Sequence, residues 1–163
     1  MDMPVSEMSY AQLEQLSNPN SASIARPISD RCRVGVSRYF NIPGTILQVF
    51  LATEGAEVGH IRRNSNDSAD VGPMQINSIN WPALYREYRI TPEQLRWDAC
   101  ANLFAGAFLI RTHLDAAGKE SIKDIDSLLS ILANYHSKTK RHNERYKKIL
   151  LSHITSLNTS ENR

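Results

Sequence analysis

One polar interruption in an otherwise apolar, helix-like pattern sets the architecture of this chain. Ile46, Leu47, Val49, Phe50 and Leu51 fill the stretch from Ile46 to about Gly55. They leave little polar surface, so this helix belongs in the middle of a core. His60 to Asn77 follows, rich in Asn, Ser, Asp and Gly. Without helical apolar periodicity, it reads as loop with short strands. Around this pair, Ser29-Asp30 caps a helix running to about Phe40, with Cys32, Val36 and Phe40 on one face, and Ile42-Pro43-Gly44 breaks it. Thr45 is expected to cap the central helix. Trp81 to Tyr88 opens on Pro82. Thr91-Pro92-Glu93-Gln94 is a capping box. Asp98 caps Ala99 to Ala117, which Gly118 stops. Ile125 to Tyr135 and His142 to Leu157 complete the set; the latter carries Tyr146, Ile149, Leu150 and Ile154 on one stripe. The expected class is α+β, mostly α, with a small irregular β insert after the Glu54 helix.

With 163 residues, the chain is of single-domain size and long enough to bury a core. We expect a flexible arm over 1–28, a packed domain over 29–157 and a short tail over 158–163. Hydrophobic residues at 41% and charged residues at 22% exclude wholesale disorder. A net charge of +2 leaves no strong nucleic-acid footprint. The longest apolar run, Leu103 to Ile110, falls well short of the ~20 residues a membrane span needs. Met1 to Asn20 holds Asp2, Glu7 and Glu14 and lacks the apolar stretch of a secretory signal. The expectation is export by another route, a replaced leader, or no export.

Cys32 and Cys100 are the only cysteines, too far apart in sequence for a paired metal-ligand motif. Two buried thiols and one structural disulfide are both compatible with them.

Glu54 carries the chemistry. It stands four residues after Phe50 and three after Leu51, on the face that holds core residues. A carboxyl group against apolar side chains keeps its proton to higher pH, as a general acid must. The plainer alternative is a glutamate at a helix end facing water. Gly72-Pro73-Met74-Gln75-Ile76-Asn77 alternates polar and apolar side chains as a strand would, and its amides suit sugar hydroxyls and N-acetyl groups. Tyr135, after an apolar helix, brings a hydroxyl to a cleft or sits in the core.

Glu54-Gly55, then Gly72-Pro73-Met74-Gln75-Ile76-Asn77, then Ala133-Asn134-Tyr135-His136-Ser137 with Tyr146 after it, resemble the lytic transglycosylases of the soluble-transglycosylase (goose-type lysozyme-like) group. The Asn-rich approach Asn64 to Gly72 and the helix start Asp98-Ala99-Cys100-Ala101-Asn102 resemble its VirB1-like branch, associated with secretion, conjugation or pilus systems. The resemblance covers roughly residues 30 to 150. It implies a lysozyme-like fold and cleavage of the MurNAc–GlcNAc bond of peptidoglycan in the periplasm, by a monomer without cofactor or metal. It assigns catalysis to Glu54, substrate binding to Met74, Gln75 and Tyr135, and a disulfide to Cys32 and Cys100; Asn77, on the polar side of the same motif, and Ser68 are further expected substrate contacts. Gly55 stands where the family often has Ser, and Pro73 where it often has Leu.

Glycoside hydrolysis usually takes two carboxylates. Beyond Glu54 the expected candidates are Asp67 and Asp70, either of which also suits a turn. The family works with one, because the nucleophile is the C6 hydroxyl of the same sugar. A lysozyme-type hydrolase and a non-catalytic wall-binding module are the competing readings. Asn64 to Gln75 departs from a calcium loop at Ala69 and Gln75, and the five His residues form no zinc pattern. The basic stretch Lys138 to Lys148 reads as a solvated helix face, or as a contact with anionic wall polymer or membrane surface.

Overall fold

A computed structural model describes residues 28–161. The expected arm, apart from its last residue, lies outside them, as do residues 162 and 163. Among the described residues there are seven α-helices: α1 Asp30–Phe40, α2 Gly44–Glu54, α3 Trp81–Tyr88, α4 Pro92–Trp97, α5 Ala99–Ala117, α6 Ile125–Leu132 and α7 Lys140–Glu161. Between α2 and α3 lies an antiparallel sheet in the order β1 Ile61–Arg63, β2 Ala69–Val71, β3 Ile76–Asn77. The class is α+β and mostly α, with its β insert directly after the Glu54 helix, as expected.

The helix starts follow local chemistry. Cys32 N–H donates to Ser29 Oγ (3.1 Å) at the start of α1. At α4 the capping box closes both ways: Gln94 N–H donates to Thr91 Oγ1 (3.1 Å) and Thr91 N–H to Gln94 Oε1 (3.0 Å). Asp98 Oδ1 accepts from Ala101 N–H (3.0 Å) at α5. Three boundaries differ from expectation. Helix α2 begins at Gly44, with Ile46 N–H donating to Pro43 O (3.0 Å), so Thr45 lies inside the first turn and does not cap it. Helix α6 tightens into a 3-10 turn over Ala133–Tyr135. Helix α7 starts two residues before the expected His142, at the basic Lys140 and Arg141, and runs four residues past Leu157 through the polar Asn158 to Glu161, into the expected tail.

The residues fall into two compact units. The first takes the chain up to Val36 and Glu54–Gly106. It holds the sheet, whose register puts Arg62 opposite Asp70 and Asp70 opposite Asn77. The other sheet face carries Val71 and Ile76, both fully buried, and Met74, Trp81, Leu84, Leu95 and Leu103 are buried with them in this unit. Each such side chain contributes about 1.5–3 kcal/mol through burial. Gly106, inside α5, has a packing reason: a Cβ there would come within 2.5 Å of Met74 Cε.

The cysteines of this unit are joined: Cys32 and Cys100 form a disulfide with Cα atoms 5.9 Å apart across 68 residues of sequence. The loop-entropy model gives about 4 kcal/mol for a loop of that length. Reduction is therefore expected to lower the melting temperature by about 10 °C. Thiol titration of the denatured, unreduced protein should find no free thiol among the two. Two free thiols, or an unchanged melting curve on reduction, would refute the bond.

The second unit takes Ser37–Thr53 and the chain from Ala107 onwards. Leu47, Val49, Phe50, Ile110, Leu129, Leu132, Tyr146 and Leu150 are buried in it. Of the α7 stripe, Tyr146 and Leu150 are buried, whereas Ile149 is 39% exposed. Asp124 caps α6 by accepting from Ser127 N–H (2.7 Å), which holds its carboxyl below the ordinary value. Burial, helped by Lys138, holds the His113 imidazole below its ordinary value of 6.5. The unfolded chain then takes up this proton first as the pH falls below 6.5, so stability is lost on the acid side until the folded imidazole also protonates. Denaturant melts across that range should show a slope that His113→Gln reduces.

Candidate active site

The end of α2 and the sheet build a recess of about 480 Å³ lined by Glu54, Gly55, Ala56, Glu57, Val58, His60, Arg62 and Gln75. Glu54 is the last residue of α2 and is half-buried. Gly55 follows with φ +61°, a left-handed value that ends the helix at low steric cost. The apolar run thus delivers one carboxyl group to the edge of a polar recess.

The motif after it folds differently from its alternation. The strand is only Ile76–Asn77. Gly72 to Gln75 is a tight turn, with Gln75 N–H donating to Gly72 O (3.0 Å). Gly72 has φ +71°, and a Cβ there would meet Asn102 Nδ2 at 2.2 Å. Gln75 itself has φ +48°. Non-glycine residues adopt that conformation at a cost of order 1 kcal/mol, and such outliers concentrate at functional sites. Its Nε2 donates to Gly72 O (3.1 Å), which fixes the carboxamide at the recess wall.

Asn102 holds this turn from behind. It is fully buried in α5. Its Oδ1 accepts from Met74 N–H (2.8 Å), and its Nδ2 donates to Val71 O (2.9 Å) and Leu95 O (2.8 Å). One amide therefore ties the turn to the ends of β2 and α4.

Met74 is fully buried against Gly106, so its side chain packs under the turn. Asn77 donates through Nδ2 to Asp70 Oδ1 (2.8 Å) and Ser68 Oγ (3.2 Å), and its Oδ1 accepts from Ile79 N–H (3.0 Å). Ser68 Oγ also donates to Asn66 Oδ1 (2.6 Å). Both residues serve the hairpin network and are not among the recess lining. Tyr135 lies in the second unit, its ring 5.0 Å from that of Phe50 at 67°, while His136 stacks on Tyr146 at 4.8 Å.

The acids of the insert are structural. Asp70, 6% exposed, accepts from Arg62 Nη2 (2.7 Å), Asn64 Nδ2 (3.1 Å) and Asn77 Nδ2. Asp67 sits at φ +67° in the hairpin turn, paired with Arg63 at 2.6 Å. The second carboxylate at the recess is Glu57, which the sequence reading missed along with His60 and Arg62. Their signal was available: Glu57 and His60 fall within six residues of Glu54, just past a helix-ending glycine.

No helix among the described residues is long and apolar enough to cross a membrane. No family model matches the chain. Over 80 residues it is 32% identical to the invasion protein IagB of Salmonella typhimurium and of Salmonella typhi. The aligned stretch is 48% of this chain and 49% of each relative, so the chain spans about half the length of the curated relatives it matches, a distant relationship.

Proposed function

We propose that this chain is a peptidoglycan lytic transglycosylase whose lysozyme-like domain spans residues 29–157. It cleaves the MurNAc–GlcNAc β-1,4 bond and leaves a 1,6-anhydroMurNAc end. The observation that carries the reading is a single half-buried glutamate, Glu54, delivered by an apolar helix to a recess that also holds the constrained Gln75 amide. The distant relationship to an invasion protein agrees with it.

In this mechanism Glu54 gives its proton to the leaving glycosidic oxygen as the C1–O bond breaks. The resulting carboxylate takes the proton of the C6 hydroxyl, whose oxygen bonds to C1. No water is consumed and Glu54 ends protonated, as it began. Tethering the nucleophile to the substrate replaces the second carboxylate. Gln75 offers its amide to a sugar hydroxyl or N-acetyl group. Met74 shapes the turn beneath it, Asn77 and Ser68 hold the hairpin, and Tyr135 is the proposed aromatic contact. The place of action is the periplasm, and the task is local opening of the wall for a secretion, conjugation or pilus apparatus. The disulfide agrees with an oxidising compartment.

Glu57 favours one second reading, a lysozyme-type hydrolase that uses two carboxylates. Mass spectrometry of wall digested by the purified protein separates them. Anhydro ends are expected; reducing ends, together with loss of activity in Glu57→Gln, would establish the hydrolase.

The acids of the insert give a further check. Asp67→Asn is expected to keep most activity. Asp70→Asn should lower the melting temperature by several degrees, because an amide turns one acceptor oxygen of a buried three-donor carboxylate into a donor. Activity per folded molecule should be largely kept. If Asp67→Asn abolishes cleavage, the single-carboxylate mechanism is wrong.

A further inference from the structure

The N-terminal half of α7 carries a charged face that the catalytic reading does not use. Lys140, Arg141, Glu144, Arg145 and Lys148 follow the spacing of one helix face and line a second recess of about 470 Å³. Four cations surround one glutamate, and all five side chains are exposed. Among the described residues none of the four cations has an ion-pair partner. Lys147, on the flank, pairs with Asp126 at 2.5 Å. The first turn of α7 holds no acidic residue. Cations there face the positive end of the helix dipole, an arrangement that weakens the isolated helix and that an anionic partner relieves. Further along, Leu151 is 47% exposed on the same face and Ile149 39% exposed beside it.

We propose that this face docks on a bilayer surface of anionic phospholipid, α7 lying along the interface. Phosphate headgroups match the cation surplus. The exposed Leu151 and Ile149 decide between partners: an interface accepts a shallow apolar side chain beside snorkelling Lys and Arg, whereas a hydrated polyanion such as duplex DNA gains nothing from it.

Co-sedimentation of the full chain with vesicles tests this. Binding is expected to vesicles of mixed phosphatidylglycerol and phosphatidylcholine, absent with phosphatidylcholine alone, and weakened as salt rises. Arg141→Glu with Arg145→Glu should weaken it about tenfold or more, at unchanged helix content by circular dichroism. If that pair disturbs folding, Lys140→Gln with Lys148→Gln makes the same test by charge removal. Arg86→Glu, on α3, should bind as the parent does. Leu151→Ser should weaken vesicle binding several-fold and leave any binding to duplex DNA unchanged. Absence of vesicle binding overturns the proposal. So does equal binding to neutral vesicles, indifference to both charge variants, or binding to DNA as tight as to anionic vesicles with Leu151→Ser neutral toward both.

Discussion

Glu54→Gln is expected to remove wall cleavage by at least about 10²–10⁴-fold while the melting temperature stays within about 2 °C of the parent. The substitution keeps the size of a half-buried side chain and deletes only the transferable proton. Gln offers no acid to the leaving oxygen and no base to the C6 hydroxyl, so both halves of the proposed cycle fail together. The measurement is release of soluble muropeptides from purified wall, with a thermal melt run on the same preparation. Activity near that of the parent would falsify the assignment of Glu54 and move attention to Glu57 in the same recess.

The second large effect is one of stability. Asn102→Leu should cost roughly 2–5 kcal/mol, a fall of about 10 °C in melting temperature. The apolar replacement strips partners from Met74 N–H, Val71 O and Leu95 O at a fully buried position. Asn102→Asp is the sharper probe. It keeps an acceptor for Met74 N–H but turns a carboxylate oxygen toward two carbonyls, so it should be nearly as harmful. Because the same amide secures the turn that carries Gln75, surviving folded protein should also cleave poorly. Melting points within about 2 °C of the parent in both variants would mean that the turn holds itself.

What the sequence made legible were features with a local cause. The Thr91–Gln94 box, the Asp98 cap and the apolar-rich α2, with Leu47, Val49 and Phe50 buried, need only neighbouring residues to act, and each forms as expected apart from the start of α2. The place of Glu54 at the end of that apolar helix was legible the same way, from its distance to Phe50 and Leu51. The insert was harder because its residues answer to partners far away in sequence. Met74 to Asn77 alternates like a strand, yet Gly72 and the amide of Asn102, 28 residues past Met74, draw its first half into a turn. Asp70 reads from sequence as a candidate second carboxylate or a turn residue, and only the register sets Arg62 and Asn77 on either side of it. Asn102 itself left a readable trace: a single amide in an otherwise apolar helix start must find buried partners.

The bond between Cys32 and Cys100 gives one polypeptide two stabilities. A domain's net folding free energy is typically about 5–15 kcal/mol, so the roughly 4 kcal/mol assigned to the cross-link is a large share of it. Newly made chain in a thiol-rich environment has only the remainder, and opens to the unfolded state about a thousand times more often. Closing the bond in such a chain restores the full stability. A protein purified from a reducing host and one purified after air oxidation are different starting materials for every measurement above, and their yields, protease resistance and shelf lives should differ accordingly.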